Sequence, residues 1–330
     1  MGEDQSTGEP HKLNRARLAG AVVAAVLLVA GGVTVFRKTQ DNAPVAAAPV
    51  DIAVPAYVFP DDPFITRLLD PAVPPPAVVV LNLDNGDGDV TVLDRVADAL
   101  RARKTADGTP VRVIGYVWTG TATPVSLRPQ PDVRGRVDAW LEPRNGKVHY
   151  DGIFFDVTTV TCGPTPGSMD YRDHYRSLRE HVQGKVPDAL VVNNPGTAVP
   201  ACYLDPAHRT ADVFVTFEGS AAAYATTAAS PAMGGGYWLG GNVTADGHYV
   251  LGDQLTFPGT DGQPATVDID PSSFWHIVHT TPAGEGAALV DKARERHAGH
   301  FVATHAAIDG NPYDQIPKDL DAQIKRAAEG

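Results

Sequence analysis

The sequence contains very little cysteine and no excess of positive charge. Only two of its 330 residues are cysteines, so a fold held together by several disulfides is excluded. Acidic residues outnumber lysine and arginine by 39 to 27, and the formal net charge is -12. This charge argues against nucleic acid and anionic lipid as partners, because both carry dense negative charge.

Motifs that mark several common enzyme classes are also absent. The sequence has no dinucleotide-binding glycine fingerprint, no phosphate-binding loop and no nucleophile elbow. No cysteine pair has zinc spacing, and the acidic run at 84–89 lacks the spacing and final Glu of a calcium loop. His276 and His279 stand three apart on a predicted strand, so they face opposite sides and do not share a metal. We therefore expect no cofactor and no metal ion.

One long apolar run lies near the N-terminus. Residues 18–36 form an uncharged run of 19 residues, and a helix of that length spans roughly 28 Å, close to the hydrocarbon thickness of a bilayer. The cations Lys12, Arg15 and Arg17 precede the run, which favours a cytoplasmic tail at 1–17 and an exported remainder. We expect a transmembrane signal-anchor that holds the protein in the cell membrane as a single-pass protein. A cleaved signal peptide, which would give a secreted protein, is the alternative.

The rest of the chain, after a linker at 37–50, alternates apolar runs with amphipathic stretches. Eight apolar runs are rich in Val, Ile and Phe without strict polar alternation, which is typical of strands covered on both faces. Asp89 and Asp170 are placed to cap two of the helices between them, whereas the first, fifth and sixth helices are weakly indicated. This pattern over 51–330 predicts an α/β fold, a (β/α)8 TIM barrel, with an open doubly wound sheet as the alternative. The predicted strands are 53–58, 77–83, 112–118, 152–157, 190–196, 212–218, 275–281 and 300–306.

Residues 228–273 interrupt the repeat. Turn signals at 246–247 and 261–262, each Asp-Gly, predict two hairpins there. We interpret the segment as an insertion between strands six and seven that lies over the C-terminal face of the barrel. Its aromatic residues, Tyr237 and Trp238, either form a wall for a ligand or pack the insertion onto the barrel.

Two carboxylates end predicted strands. Asp156 and Glu218 are the terminal acidic residues of strands four and six, and barrel enzymes keep their chemistry at such strand ends. Even-numbered strands supply the same interior layer, so we expect both side chains to meet at the barrel mouth, on either side of Asn194. Their separation then suits the paired acids of a glycosidase. In the alternative interpretation, they cap the following helices or pair with cations at the mouth.

Eight segments of the chain form a recognisable set. They are VPAYVFP (54–60), VVLNLDNGDGD (79–89), VIGYVWT (113–119), YDGIFFD (150–156), VVNNPGT (191–197), FVTFE (214–218), HFVAT (300–304) and NPYDQIP (311–317). Taken together and in order, they resemble spherulation-specific family four, the spherulin-4-like proteins, and they cover nearly all of 53–330 except the insertion. The resemblance implies a (β/α)8 barrel and kinship with glycoside hydrolases that cut galactosamine- and N-acetylgalactosamine-containing exopolysaccharides.

The resemblance implies roles for the two acids and also exposes a departure. By resemblance, Asp156 is the nucleophile or charge stabiliser and Glu218 is the acid/base residue. The family usually reads Phe-Phe-Asp-Glu at this point, whereas this chain has Val157 after Asp156. Alternation along a strand turns position 157 away from Asp156, so a supporting role suits the missing acid better than an attacking one. Its loss puts catalytic activity in doubt.

Further residues near strand ends are candidates for holding sugar, because aromatic faces cover apolar sugar patches and amides bond hydroxyl groups. For each of them, core packing or loop hydrogen bonding is the alternative. The candidate substrate-binding residues are Tyr57, Asn82, Tyr116, Trp118, Asn194 and Thr304.

Cys162 and Cys202 follow neighbouring strands, so we predict a disulfide between them in an oxidising compartment. Two free thiols are the alternative.

Three functions therefore compete. The first is a surface glycoside hydrolase that acts on an amino-sugar polysaccharide, and Asp156 and Glu218 support it. The second is a non-catalytic surface protein that binds glycan or belongs to the cell envelope, which Val157 supports. A metal-dependent deacetylase ranks last, because the sequence offers it no convincing ligands.

Overall fold

The computed structural model of the protein describes residues 49–120, 127–161, 170–227, 270–308 and 310–330, together with short strand segments between 237 and 268. Within that described part, no helix is both long and apolar enough to cross a membrane. The predicted membrane segment at 18–36 lies outside the described residues, and so does most of the linker at 37–50.

Eight parallel strands close into a barrel, which confirms the (β/α)8 prediction and excludes the open sheet. Closure is made by the first and last strands, where Asp51 pairs with His300 and Ile52 with Phe301. The strands are β1 (Asp51–Ala56), β2 (Val78–Leu81), β3 (Arg112–Trp118), β4 (Gly152–Asp156), β5 (Leu190–Asn194), β6 (Val213–Ser220), β7 (Phe274–His279) and β8 (His300–Ala303).

Most residues of these strands are buried, because helices cover the outer face and side chains fill the interior. Inside the barrel, the ring of Phe154 stacks on Tyr116 and meets the edge of Trp275, with ring centres 6.1 and 5.6 Å away. Gly115 faces outward, where an added Cβ would collide with the Trp140 ring of the covering helix. Interior aromatic rings therefore form the floor beneath the barrel mouth.

The described residues form seven α-helices, and the helices that the sequence indicated weakly are short or replaced. The side chain of Asp89 accepts a bond from the Thr91 amide, so it caps a 3-10 turn that leads into α2. No α-helix follows β5 among the described residues; 3-10 turns at Ala201–Leu204 and Pro206–His208 take its place. The helices are α1 (Pro63–Leu69), α2 (Asp94–Arg101), α3 (Gln130–Leu141), α4 (Arg172–Lys185), α5 (Ala221–Thr227), α6 (Gly286–Glu295) and α7 (Leu320–Ala328).

The predicted insertion contributes strands of its own. Asn242–Val243 pairs antiparallel with Tyr249–Val250, and Gln254–Pro258 pairs antiparallel with Pro264–Asp268. These pairings confirm the two hairpins predicted from Asp-Gly signals, whose turns lie outside the described residues. The strand Tyr237–Trp238 pairs with residues 199–200, which follow the C-terminal end of β5. The insertion is therefore tied to the loop after β5 at this one strand, and its position over the C-terminal face stays a prediction.

Candidate active site

One amide side chain joins the two predicted carboxylates at the barrel mouth. Asp156 and Asn194 are register partners at the ends of β4 and β5. The Nδ2 of Asn194 donates to Asp156 Oδ1 at 2.8 Å and to Glu218 Oε2 at 2.7 Å. One nitrogen donates both bonds. The two accepting oxygens, Asp156 Oδ1 and Glu218 Oε2, are therefore no farther apart than the sum of the two bond lengths. The predicted meeting of the two acids is thus present in the structure.

The orientation of the Asn194 amide follows from its other contact. Its Oδ1 accepts a bond from the Gly196 amide at 2.8 Å, so the nitrogen must face the acids. Gly196 adopts a φ of +64°, and its carbonyl accepts a bond from the Glu218 amide at 3.2 Å. The turn after β5 thereby ties strand five to strand six directly behind the carboxylate pair.

Glu218 reaches the interior through a β-bulge in β6. Val215 pairs with Trp275 and Glu218 pairs with Ile277, so three steps along β6 match two steps along β7. Trp275 faces the interior, where its ring lies against Phe154, and Ile277 shares that side of β7 by alternation. The extra residue therefore turns Glu218 inward. An unbroken strand running on from Val215 would turn it outward.

Two tyrosines donate hydrogen bonds to the carboxylates. Tyr116, from β3, donates to Asp156 Oδ2 at 2.6 Å, and Tyr313, from the loop after β8, donates to Glu218 Oε1. Tyr57 lies between them with ring centres 5.2 Å from each, in edge-to-face contact. Each acid thus has one oxygen on the shared amide and the other on a phenol. Tyr313 was not singled out from the sequence, although it lies in the matching segment 311–317.

Burial and a neighbouring negative charge raise the pKa of Asp156. Burial raises the pKa of Asp156 to about 6, and the negative charge of Glu218 acts in the same direction. Hydrogen bonds from Tyr116, from the Val157 amide and from Asn194 oppose the rise, because they stabilise the charged form. The pKa of Tyr116 is itself raised, first by burial and then by Asp156, so this phenol stays a donor at neutral pH.

Three predicted sugar-binding residues make other contacts. Asn82 Oδ1 accepts a bond from the Gly86 amide at 2.8 Å, and Thr304 Oγ1 accepts one from the Ala306 amide at 3.3 Å. These bonds match the alternative of loop hydrogen bonding. The Trp118 ring lies under a guanidinium, the Arg128 group, at 5.0 Å. None of the three bonds Asp156 or Glu218, in contrast to Tyr116 and Asn194.

The residue that replaces the family acid is exposed and conformationally unusual. Val157 has a φ of +56° and is 38% exposed, and its carbonyl accepts a bond from the Thr119 hydroxyl. Its Cγ1 lies against Gly120, 2.6 Å from the place of an added Cβ. Position 157 therefore lies beside the pair but offers it only a backbone amide.

Cys202 is disulfide-bonded. The only other cysteine in the sequence, Cys162, lies outside the described residues, so the pairing of the two stays a prediction. Among the described residues, no group of three or more His, Cys, Asp or Glu side chains is arranged to hold a metal ion.

Comparison with known proteins gives one family and several structures. The model of spherulation-specific family 4 matches residues 51–327. The chain is similar to Aspergillus clavatus Sph3, whose structure was solved in complex with GalNAc, at 22% identity and a TM-score of 0.59, covering 85% of this chain and 98% of that one. It is also similar to "putative Chitinase A" from Streptomyces coelicolor, at 13% identity and a TM-score of 0.40, covering 84% and 99%. At 22% identity, the likeness to Sph3 shows a shared barrel fold. No curated protein sequence matches the chain significantly.

Proposed function

Because this chain belongs to spherulation-specific family 4, with residues 51–327 matched, we propose that it is a glycoside hydrolase acting on an amino-sugar polysaccharide. The observation that carries the proposal is the Asn194 amide, which holds Asp156 and Glu218 on a single nitrogen. Cleavage of a glycosidic bond requires two carboxyl groups on either side of the bond, and strand ends of a barrel are where such groups are found.

The spacing of the pair supports cleavage with retention of configuration. Retaining glycosidases hold their carboxyl groups about 5 to 5.5 Å apart, whereas inverting enzymes leave about 6.5 to 9.5 Å for a water molecule. Two oxygens that share one amide nitrogen, at 2.8 and 2.7 Å, fit the shorter separation.

In the proposed reaction, an Asp156 oxygen attacks the anomeric carbon while the glycosidic bond breaks and its oxygen takes a proton from Glu218. Glu218 then removes a proton from water, and the hydroxide attacks the anomeric carbon and releases Asp156. Tyr116 stabilises the ionised Asp156 before attack, and Tyr313 holds the other oxygen of Glu218. Asp156 must be ionised to attack, so we expect activity to fall as the pH drops through its pKa of about 6.

The substrate class rests on the family and on the charge of the chain. Membership of the family favours galactosamine- or N-acetylgalactosamine-containing polymers. A net charge of -12 favours a substrate that is itself neutral or positive over an acidic polysaccharide. We further propose that the barrel acts outside the cytoplasmic membrane, anchored by residues 18–36 or secreted after their cleavage.

Reducing-end release from N-acetylgalactosamine-rich polymer by the full-length protein tests the proposal. We expect Asp156→Ala and Glu218→Ala to lower kcat by about 10²- to 10⁴-fold, because each removes one partner of the acid–nucleophile pair. On a substrate with an activated aryl leaving group, Glu218→Ala should keep more activity than Asp156→Ala, since such a group leaves without a proton.

The matched control is Asp87→Ala, which removes an exposed acid from the loop after β2 that pairs with Arg128 and Arg136 but not with the carboxylate pair. It should retain activity within a few-fold. Equal background hydrolysis by the unsubstituted protein and by Asp156→Ala would sink the hydrolase proposal. The first product formed, followed by NMR, should have the anomeric configuration of the substrate.

A non-catalytic glycan-binding protein is the second candidate, and Val157 is the observation that favours it. This function predicts saturable binding of the same polymer without release of reducing ends. The Glu218→Gln variant separates the two functions. It should abolish turnover if the protein is a hydrolase, and it leaves the rank order of bound glycans unchanged if the protein only binds.

A further inference from the structure

His279 is the last residue of β7 and lies on the interior side of that strand. Trp275, four residues earlier, has its ring against Phe154 inside the barrel, and side chains two and four apart share a face. His276 lies on the opposite side, where its Nδ1 meets the hydroxyl of Tyr224 at 2.8 Å. His279 therefore lies at the barrel mouth, next to strand six and its carboxylate.

The imidazole of His279 is held from one side only. Its Nδ1 lies 2.9 Å from the Thr280 hydroxyl. The other ring nitrogen, Nε2, has no hydrogen-bond partner among the described residues, yet it is not sealed from solvent. The side chain as a whole is only 7% exposed, so the ring presents one edge to the mouth. A ring fixed at Nδ1 and open at Nε2 is preorganised to bond one further group.

The backbone that fixes this ring is strained. Thr280 has a φ of +54°, which a β-branched residue rarely adopts and which costs on the order of 1 to 3 kcal/mol. Bonds to the loop after β8 hold it there: the Thr280 amide donates to the Ala306 carbonyl at 2.8 Å, and the Thr281 amide donates to the Thr304 carbonyl at 2.9 Å. Strain kept in place by neighbouring bonds is typical of functional sites.

The charge state of the ring suits a neutral ligand. Burial lowers the pKa of His279, and the negative charge of Glu218 opposes that fall only in part. At neutral pH the imidazole is therefore uncharged, and it forms no ion pair with Glu218 among the described contacts. Its free nitrogen remains available to a hydroxyl or an amide beside the carboxylate pair.

The geometry points to His279 as a substrate-binding residue, whose Nε2 hydrogen-bonds a hydroxyl or acetamido group of the sugar unit that lies against Glu218. This inference deepens the proposed function and rests on it. Thr280 is the positioning residue, because it acts on the sugar only by fixing the ring. His279 takes no proton in the proposed reaction, so its contribution is to binding.

Binding and turnover of N-acetylgalactosamine oligosaccharides by the full-length protein test the inference. His279→Ala should raise the Kd, measured by calorimetry, and the KM about three- to tenfold, with kcat changed by less than about threefold, since one neutral hydrogen bond is lost from both ground and transition states. His279→Gln should restore part of the affinity, because its amide reaches the same position. Thr280→Val should give a smaller loss of affinity.

The matched control is His276→Gln on the opposite side of the same strand. It should lower Tm, because it disturbs the buried contact with Tyr224, but leave KM unchanged. Unaltered Kd and KM in His279→Ala, with binding and turnover by the unsubstituted protein intact, would overturn this inference alone. Failure of the unsubstituted protein to bind or cleave these oligosaccharides would overturn the inference and the proposed function together.

Discussion

At the level of single residues, the barrel mouth keeps Asp156 in surroundings that disfavour its charge. The carboxyl is buried and lies beside Glu218, and both effects raise its pKa to about 6. Hydrogen bonds from Tyr116, Asn194 and the Val157 amide offset part of that cost. The ionised carboxyl of Asp156 destabilises the folded state but is needed for the proposed reaction. Removing this charge should therefore stabilise the protein and abolish the reaction.

Asp156→Asn should therefore raise the free energy of unfolding at pH 7 by roughly 1 to 3 kcal/mol. The folded-state pKa of Asp156 lies above its ordinary value of 3.8, so the folded protein binds this proton more tightly than the unfolded chain does. The unsubstituted protein then loses stability as the pH rises from about 4 to about 6, and the variant does not. Urea unfolding between pH 3.5 and 7.5 measures the difference, which should vanish at the acid end.

Asp89→Asn is the control, because its effect on stability should change with pH in the opposite direction. Hydrogen bonds from the Thr91 side chain and amide lower the pKa of Asp89, so its charge favours the folded state, and that contribution is lost as the pH falls. If the stability gained by Asp156→Asn persisted unchanged at pH 3.5, the gain would not come from the proton on Asp156.

At the level of elements, the backbone departs from regular strand geometry at three places near the candidate site. The bulge in β6, opposite Trp275 and His276, turns Glu218 inward, and positive φ angles follow β4 at Val157 and β7 at Thr280. Irregular backbone within β6 and just past the ends of β4 and β7 therefore directs side chains toward the mouth.

Val157→Gly should raise the free energy of unfolding by about 0.5 to 1 kcal/mol. Glycine adopts a φ of +56° without the steric cost that a β-branched residue pays there, and this gain exceeds the entropy that glycine loses. Val92, an exposed valine in the 3-10 turn before α2 with no positive φ, is the matched control. Val92→Gly should lower stability by a similar amount.

Thermal unfolding of the two glycine variants at neutral pH makes the comparison. A loss of stability in both of them would show that Val157 contributes through packing rather than through strain. Val157→Glu, which restores the acid usual in the family, adds a test of function: a rise in kcat would assign the missing carboxylate a supporting role.

At the level of the whole molecule, the C-terminal segment both closes the barrel and completes the site. Gln323 of α7 is fully buried, and its amide group bonds the backbone of β8 twice, with the Ala303 amide at 2.9 Å and the Ala303 carbonyl at 2.8 Å. Tyr313, a few residues earlier, bonds Glu218, and its carbonyl accepts the Tyr57 amide at 3.0 Å. Stability and the candidate site therefore depend on the same stretch of chain.

Gln323→Leu should lower the free energy of unfolding by about 2 to 4 kcal/mol, because it leaves the amide and the carbonyl of Ala303 buried without partners. Lys325→Leu, at an exposed position of the same helix, should change it by no more than about 0.5 kcal/mol. Equal Tm values for the two variants would mean that α7 does not secure the closing strand.

The sequence was sufficient for the strands, their order and the two carboxylates. Runs such as 112–118 and 190–194 are apolar without alternation because both faces of each strand are covered, and that property is local. Asp156 and Glu218 were found because a charged residue that ends an apolar run is visible in one dimension. Asn82 and Thr304 were selected as polar residues near strand ends, and in the structure their side chains bond neighbouring loop backbone.

Only the tertiary structure decided how these groups meet. The bulge that turns Glu218 inward follows from a register shift against β7, and the sequence of β6 does not predict it. Tyr313 lies 95 positions from Glu218, and the ring of His279 is held by a backbone conformation that loop contacts impose. Hydrophobic pattern determines which segments become strands because it acts over a few residues. The direction in which a side chain points depends on contacts with distant residues, which come together only when the barrel closes.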